Sequence, residues 1–275
     1  MSVVKSKRLL FILPIGIWFM WLVACASSSN TGTINETKPI AVKDQIEFDY
    51  ADGASLLVAS PGQKQMMILN DFQVGTGQNR MLIVGAHAEE KGEKNVGDMK
   101  ISRVTLGDRE LTLLAGSEVQ FSSMWQGDEF FLKVALYYLI NPPSGTHDIT
   151  VAFAGPVTSG NVGGICLYNA RQAAPVILAT NQQSQQKEII TEITTKNDGA
   201  WVVDFVGCGH KSKLRPKLKA HRRRFNAQET NGGKSSLLGG TLHVPEAGKV
   251  ALQWGQLKRS INRLAHVAVE IAPYN

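Results

Sequence analysis

Basic residues are concentrated in one segment of this 275-residue chain. Eight Lys and Arg side chains fall within 14 positions: Lys211, Lys213, Arg215, Lys217, Lys219, Arg222, Arg223 and Arg224. A basic residue or a histidine occupies every odd position from 211 to 221, so a strand here would present a row of cations on one face. Such a row predicts a site for anionic lipid, lipopolysaccharide or acidic glycan. A solvated loop, or a charged edge strand that blocks aggregation, is the alternative.

Acidic side chains occur in three pairs that could serve glycoside hydrolysis, which needs two carboxyl groups flanking the scissile bond. The candidate pairs are Glu89 with Glu90, Asp128 with Glu129, and Asp204 with Glu270. Adjacent acids on a strand point to opposite faces, and no catalytic motif accompanies any pair. We therefore expect these carboxylates to be solvated, and we predict no catalytic residue.

Other residue types that could do chemistry are scattered. The six histidines form no His-x-His or His-x-x-x-His pair and no Gly-x-Ser-x-Gly elbow occurs, so we expect neither a metal nor another cofactor. Residues 231–235 end like a phosphate loop, but Gln228 stands where that motif needs glycine, so we predict a turn. Trp125, in the turn-like stretch 122–128, is the aromatic residue best placed to stack on a sugar.

The N-terminus carries a secretory signal that ends at a cysteine. Lys5, Lys7 and Arg8 precede an apolar run over residues 9–24, which is short for a transmembrane helix of about 20 residues. Leu22-Val23-Ala24-Cys25 resembles the lipobox of bacterial lipoproteins. The resemblance implies cleavage after residue 24, lipidation of Cys25 and membrane attachment through the acyl chains. Because Ala26 rather than aspartate follows, it also implies the outer membrane.

The mature chain begins with a tether and is acidic outside the basic segment. Residues 25–45 are rich in Ser, Thr, Asn and Lys, which is typical of a flexible linker. Removing residues 1–24 takes away three positive charges and no acid, so the net charge falls from +6 to +3. Outside the eight cations, the mature chain has 18 basic and 23 acidic residues. The positive charge is therefore concentrated in one place.

The two remaining cysteines, Cys166 and Cys208, leave two interpretations open. Thiols beyond the inner membrane can oxidise, so a disulfide between them is one interpretation. Two buried, separate thiols that act as small apolar side chains are the other.

Alternation of apolar and polar residues dominates from residue 46 onward and predicts half-buried strands. It is clearest over residues 149–153, 201–205, 250–254 and 267–271, and Gly-, Pro- and Asn-rich turns separate the strands. The sequence therefore predicts an all-β fold: one antiparallel, jelly-roll-like β-sandwich over residues 46–275, with a basic insert at 209–238. Leu257, Ile261 and Leu264 lie at helical spacing and predict one short helical turn near 257–264.

The order of these segments resembles a β-sandwich module found in many secreted and surface-attached bacterial proteins. The matching pieces are residues 79–85, 104–107, 111–112, 138–146, 151–153, 201–204 and 265–269. The resemblance spans about residues 65 to 272 and implies a sandwich in an extracytoplasmic setting. It implies no catalytic residue, and the chain departs from it at the basic insert.

Together these features predict a membrane-anchored envelope lipoprotein with a non-catalytic binding or structural role. Its expected contacts are the membrane, through lipid on Cys25, and anionic lipid, lipopolysaccharide or glycan. A protein partner stays open, whereas nucleic acid is not an expected partner. An envelope enzyme acting on glycans and a scaffold subunit of a membrane complex are the alternatives.

Overall fold

The structure is a computed structural model that describes residues 45–55, 66–228, 235–256 and 259–274, with the backbone alone at 93–95. The predicted signal segment, Cys25 and the tether up to residue 44 lie outside the described residues. The turn predicted at 231–235 also lies outside them, apart from residue 235.

Ten strands form the first half of the described chain. In order they are β1 (Glu47–Ser55), β2 (Met66–Val74), β3 (Met81–Lys91), β4 (Ile101–Leu106), β5 (Arg109–Glu110), β6 (Thr112–Leu113), β7 (Val119–Trp125), β8 (Asp128–Ile140), β9 (Gly145–Phe153) and β10 (Ser159–Tyr168). A 3-10 helix, Glu93–Met99, connects β3 to β4. The first inner sheet has the order β1-β10-β3-β8, with β6 and β7 both paired to β8. The first outer sheet has the order β2-β9-β4-β5.

Eight strands form the second half. In order they are β11 (Leu178–Gln186), β12 (Glu188–Thr194), β13 (Ala200–Cys208), β14 (Arg215–Pro216), β15 (Arg222–Gln228), β16 (Ser236–Val244), β17 (Lys249–Gly255) and β18 (Ile261–Ile271). The second inner sheet has the order β11-β18-β13-β16-β15, and the second outer sheet has the order β12-β17-β14.

The two halves repeat one strand order. If the short β5 and β6 are set aside, the eight main strands of each half pair as 1-8-3-6-5 in the inner sheet and 2-7-4 in the outer sheet. All these pairings are antiparallel. Eight antiparallel strands in two such sheets make a jelly roll. The predicted all-β antiparallel sandwich is confirmed, and the chain contains two jelly rolls rather than one.

Layers of apolar side chains separate the four sheets. Phe72 and Ile149 belong to the core between the first outer and first inner sheets. Phe205 and Val267 belong to the core between the two inner sheets. Trp254 lies in the core between the second inner and second outer sheets. The order of layers is therefore outer, inner, inner, outer.

Both faces of the second inner sheet are buried along β13 and β18, and this corrects the predicted pattern of half-buried strands. Val203 and Phe205 face the first inner sheet, as the alternation predicts. Asp204, between them, faces the second outer sheet and is fully buried, as is His266 on the adjacent β18. The prediction that such polar positions face solvent is wrong, because the strands of the second outer sheet cover them.

The two inner sheets pack closely where glycines of the first face aromatic rings of the second. A Cβ at Gly85 would lie 2.3 Å from the Phe205 ring, and a Cβ at Gly163 would lie 2.1 Å from Phe225 Cζ. Neither glycine has a positive φ, so glycine is required here for space and not for backbone conformation. These contacts set the separation of the two jelly rolls.

The predicted helical turn near 257–264 is wrong over its described part. Ile261 and Leu264 belong to β18, where Leu264 pairs with Gln183 of β11 and with Cys208 of β13. Both apolar side chains still reach one buried cluster beside Trp254. Strand pairing on two sides therefore outweighs the helical spacing of the sequence.

We expect Gly163→Ala to destabilise the protein by about 1–3 kcal/mol, because the new methyl group must displace the Phe225 ring in a packed layer. Gly248→Ala is the matched control, since no atom lies within 4 Å of a Cβ there. Urea unfolding of both variants measures the difference. Equal stability of Gly163→Ala and wild type would show that the layer is loosely packed.

Candidate functional site

A pocket of about 290 Å³ opens where the two jelly rolls meet, and we call it the boundary pocket. It gathers three of the predicted carboxylates and the predicted exposed tryptophan. The lining residues are Glu89, Glu90, Lys91, Trp125, Gln126, Asp128, Phe130, Thr158, Ser159, Gly209, His210, Asn262 and Arg263. The pocket therefore takes side chains from both halves of the chain.

A tight hairpin between β7 and β8 places one wall of the boundary pocket. Gln126 and Gly127 form its two-residue turn, and both have positive φ, at 52° and 86°. Two such residues are what a type I′ hairpin turn requires. The turn holds Trp125 and Asp128 opposite each other in the ladder. Trp125 keeps 39% of its surface exposed, so its ring is available to a ligand.

A buried ion pair joins the two jelly rolls at the base of the pocket. Arg263 Nε donates to Glu89 Oε1 at 3.0 Å, and both side chains are almost fully buried. The guanidinium Cζ lies 4.9 Å from the centre of the Phe130 ring. Gly209 leaves room for the pair, since a Cβ there would lie 2.5 Å from the same Glu89 oxygen. The Nη1 atom of Arg263 is buried, and no described residue forms a hydrogen bond with it.

Glu90 occupies a different environment from Glu89, although the two are adjacent on β3. The Thr158 hydroxyl donates to Glu90 Oε2 at 2.8 Å, and the Thr158 backbone N–H donates to Oε1. Burial raises the pKa of Glu90 above its usual value, an effect that the bonds from Thr158 only partly offset. The expectation that this carboxylate is solvated is wrong, because the pocket wall removes it from water.

Behind the pocket lies a buried polar cluster between the inner sheets, formed by His87, Ser159, Asn161 and Ser235. Asn161 Nδ2 donates to Ser235 Oγ at 2.6 Å and to His87 Nδ1 at 3.1 Å. Ser159 Oγ donates to Ser235 Oγ at 2.5 Å. Burial, together with the positive charge of Arg263, lowers the pKa of His87 to about 3. The imidazole is therefore neutral, with its proton on Nε2.

The boundary pocket combines hydrogen-bond acceptors, donors and aromatic surface. Glu89, Glu90 and Asp128 supply carboxylate oxygens, and Asp128 also pairs with Lys91 at 2.7 Å. Arg263 supplies donors, and Trp125 supplies an exposed ring. A few convergent polar groups beside aromatic surface are typical of a small-ligand or sugar site.

The third carboxylate pair does not belong to this site. Asp204 accepts hydrogen bonds from His221 and His266, each at 2.9 Å, and from Trp254 at 2.5 Å. Burial disfavours the charged form, but His221 and His266 hold the pKa of Asp204 well below its usual range. Glu270 accepts the backbone N–H groups of Lys196 and Asn197 and so fixes the β12–β13 turn. The prediction of solvated acids is wrong at both positions.

Glu129 also lies outside the boundary pocket, where it accepts a hydrogen bond from Ser122 at 2.6 Å. The predicted pair of Asp128 and Glu129 is therefore divided between two environments.

The basic insert forms parts of two sheets. Its first part carries β14, which pairs with β17, and its middle part carries β15, the edge strand of the second inner sheet; its last three residues begin β16. The odd positions 211 to 219 are exposed, whereas Ser212 and Leu214 between them are buried. Lys211, Lys213, Arg215, Lys217 and Lys219 are therefore exposed, but only Arg215 and Pro216 of this stretch form a strand, so no single strand face carries all five cations. His221, the next odd position, is buried beside Asp204.

The arginines of β15 differ in their surroundings. Arg222 is exposed, and Arg223, also exposed, donates to the Leu214 carbonyl at 3.1 Å. Arg224 lies 3.8 Å from the centre of the Phe48 ring and donates to Thr241 at 2.7 Å. Burial lowers the pKa of Arg224. Arg224 is therefore a packing residue and not part of an exposed anion site.

Cys166 and Cys208 are free and buried in different cores, so the structure contains no bond between them. Burial raises the pKa of both thiols, that of Cys208 to about 12. The disulfide interpretation is replaced by two separate core thiols.

Two further features concern metals and membranes. Across the described ranges, no group of three or more His, Cys, Asp or Glu residues is placed to hold a metal ion. Within the same part of the chain, no helix has the length and apolar character needed to cross a membrane.

Known proteins provide no match: comparison of the chain with family models, curated proteins and solved structures finds none. The resemblances to bacterial lipoproteins and to a β-sandwich module therefore stay predictions from the sequence.

Sequence reasoning missed Arg263 and the polar cluster behind the pocket. A signal was present, because Arg263 shares a strand face with the apolar Ala265 and Val267, and His87 shares one with Ile83. A polar residue at an inward strand position needs an internal partner. Such positions are therefore where a buried polar site should be sought.

We expect His87→Gln to flatten the acid side of the stability profile. Wild-type His87 stays neutral in the folded state down to about pH 3, whereas it takes up a proton near its ordinary pKa of 6.5 when unfolded. Its contribution to stability is therefore complete above pH 6.5 and is lost as pH falls toward 3.

Urea unfolding at pH 7, 5 and 4 measures this effect. The exposed His243→Gln is the matched control and should keep the wild-type slope. An unchanged slope in His87→Gln would show that the ring is not buried neutral.

Proposed function

We propose that this protein is a membrane-anchored envelope lipoprotein that binds a glycan in the boundary pocket. The observation that carries the proposal is the meeting, in one pocket, of the exposed Trp125 ring, the Glu89–Arg263 pair and the Glu90 carboxyl group. A sugar offers a C–H face for the ring and hydroxyl groups for the carboxylates. Binding, rather than catalysis, is the role we infer.

The anchor in this proposal is lipid on Cys25 in the outer membrane, and residues 25–45 form the tether. Lys5, Lys7 and Arg8, the short apolar run and Leu22-Val23-Ala24-Cys25 support it. Two or three acyl chains hold a protein on a membrane durably, whereas one chain holds it only marginally. The described domain begins at β1, soon after the tether, and would act close to that membrane.

An envelope enzyme acting on glycans is a second candidate, favoured by Glu90. Its raised pKa suits a proton donor, and Glu89 beside it is paired with a cation. Chromatography of a glycan after incubation with the protein separates the two candidates. Cleavage that disappears in Glu90→Gln would replace binding with hydrolysis as the function.

We expect Trp125→Ala to weaken glycan binding by about tenfold or more, because the variant removes the stacking surface of the pocket. Isothermal titration calorimetry with peptidoglycan fragments and lipopolysaccharide core oligosaccharides measures the affinity. Tyr274→Ala, which removes an exposed aromatic ring outside this pocket, is the control. Full affinity in Trp125→Ala, or no affinity in the wild type, would refute the glycan proposal.

We also propose that the exposed cations of the basic insert contact anionic headgroups. Lys213, Arg215, Lys217 and Lys219 are exposed and form no ion pair among the described residues. Near an anionic membrane each Lys or Arg contributes about 1 kcal/mol, an effect that fades within a Debye length. A lipid anchor would keep these cations at high local concentration near the surface.

We expect replacement of these four cations by Gln to abolish low-salt binding of the domain to phosphatidylglycerol-containing vesicles. A control with the exposed Lys100, Arg109, Lys187 and Lys196 changed to Gln alters the net charge equally and should still bind. Co-sedimentation of a chain lacking residues 1–44 measures both. An equal loss of vesicle binding in the two variants would mean that the net charge, and not the position of the four cations in the basic insert, determines binding.

A further inference from the structure

The donors of Arg263 point to the chemical class of the ligand, an inference that rests on the glycan-binding function proposed above. We propose that the boundary pocket takes an N-acetylated sugar, whose acyl oxygen accepts a hydrogen bond from the Arg263 guanidinium. The sugar ring then packs on Trp125, and its hydroxyl and amide N–H groups face the carboxylates.

Arg263 has an incomplete set of hydrogen bonds. A guanidinium carries five N–H donors. Its Nε–H bonds to Glu89, whereas Nη1 has no hydrogen-bond partner among the described residues, although the side chain is only 3% exposed. A buried charged donor without an acceptor costs free energy, so a bound oxygen at this guanidinium would stabilise the protein.

The charge of the pocket limits the kind of oxygen that can bind to the Arg263 guanidinium. Glu89, Glu90 and Asp128 line the same pocket, and among its described lining residues only Arg263 and Lys91 oppose them as permanent cations. A further anion would be repelled by this excess of acids. A neutral carbonyl oxygen satisfies the guanidinium without that penalty, and it is a stronger acceptor than a hydroxyl group.

The carboxylates of the pocket determine which other groups the ligand needs. An ionised carboxylate accepts hydrogen bonds and donates none, so the ligand must supply hydrogen-bond donors as well as the carbonyl group. An acetamido group provides both, with its N–H and carbonyl oxygen on opposite sides, and its methyl group needs apolar surface. Phe130 lies beside the guanidinium and provides that surface.

The test compares two neutral tetrasaccharides by isothermal titration calorimetry on the folded domain. One is the β-1,4-linked N-acetylglucosamine tetramer, and the other is the glucose tetramer with the same linkage and no amide. We expect the N-acetylated tetramer to bind about tenfold more tightly or better, the magnitude of a hydrogen bond to a charged group.

The variant removes both partners of the buried pair, so that no charge is left uncompensated. Glu89→Gln with Arg263→Gln should bring the two tetramers to equal affinity, whereas Arg171→Gln, an exposed arginine outside the pocket, should keep the preference. Thermal unfolding confirms that each variant is folded. If the double variant does not fold, the affinities of the wild type for the two tetramers still decide whether the pocket prefers an N-acetylated sugar.

Each outcome has one meaning. A preference for the N-acetylated tetramer that disappears with the Glu89–Arg263 pair supports the inference. Equal wild-type affinities, or a preference that survives the double variant, overturn it and leave glycan binding intact. If the protein binds neither tetramer, and also binds no peptidoglycan fragment and no lipopolysaccharide core oligosaccharide, the proposed function itself is overturned.

Discussion

The face-to-face packing of the two inner sheets is the constraint on which the rest of the molecule depends. Phe205 and Phe225 fit against backbone at Gly85 and Gly163, and this contact closes one face of the second inner sheet to water, while the second outer sheet covers the other face. A polar side chain on the covered strands β13 and β18 then needs a partner inside the protein. The bonds of Asp204 to two histidines and a tryptophan follow from this need.

The boundary pocket lies where that packing ends. Apolar side chains fill most of the layer between the inner sheets, but toward the end of β3 and the start of β18 the facing residues become His87, Glu89 and Arg263. A buried ion pair there contributes little net stability, since desolvation offsets much of the attraction. The position of this ion pair at the base of an open pocket, beside an exposed tryptophan, therefore favours a role in ligand recognition over a role in protein stability.

Local patterns in the sequence predict the strands, but not what covers them. The alternation in β9 and β13 correctly assigns one apolar face to each, because that signal is local. The prediction that Asp204 and Glu270 are exposed is wrong, since exposure depends on whether other parts of the chain cover the polar face. The pocket brings Glu90 and Arg263 together across more than 170 positions of sequence. The exposure of Trp125 and of the basic residues from Lys211 to Lys219 follows from neighbouring residues.

The repeated strand order also bears on how such a chain could arise. A single jelly roll of this kind would leave the apolar face of its inner sheet uncovered, and a second copy would have to cover it. Such a pair would separate on dilution, as any dimer does. Joining two copies in one gene makes the association independent of concentration. It also frees each copy to diverge, so that Glu89 of one half and Arg263 of the other can occur once each at the shared boundary.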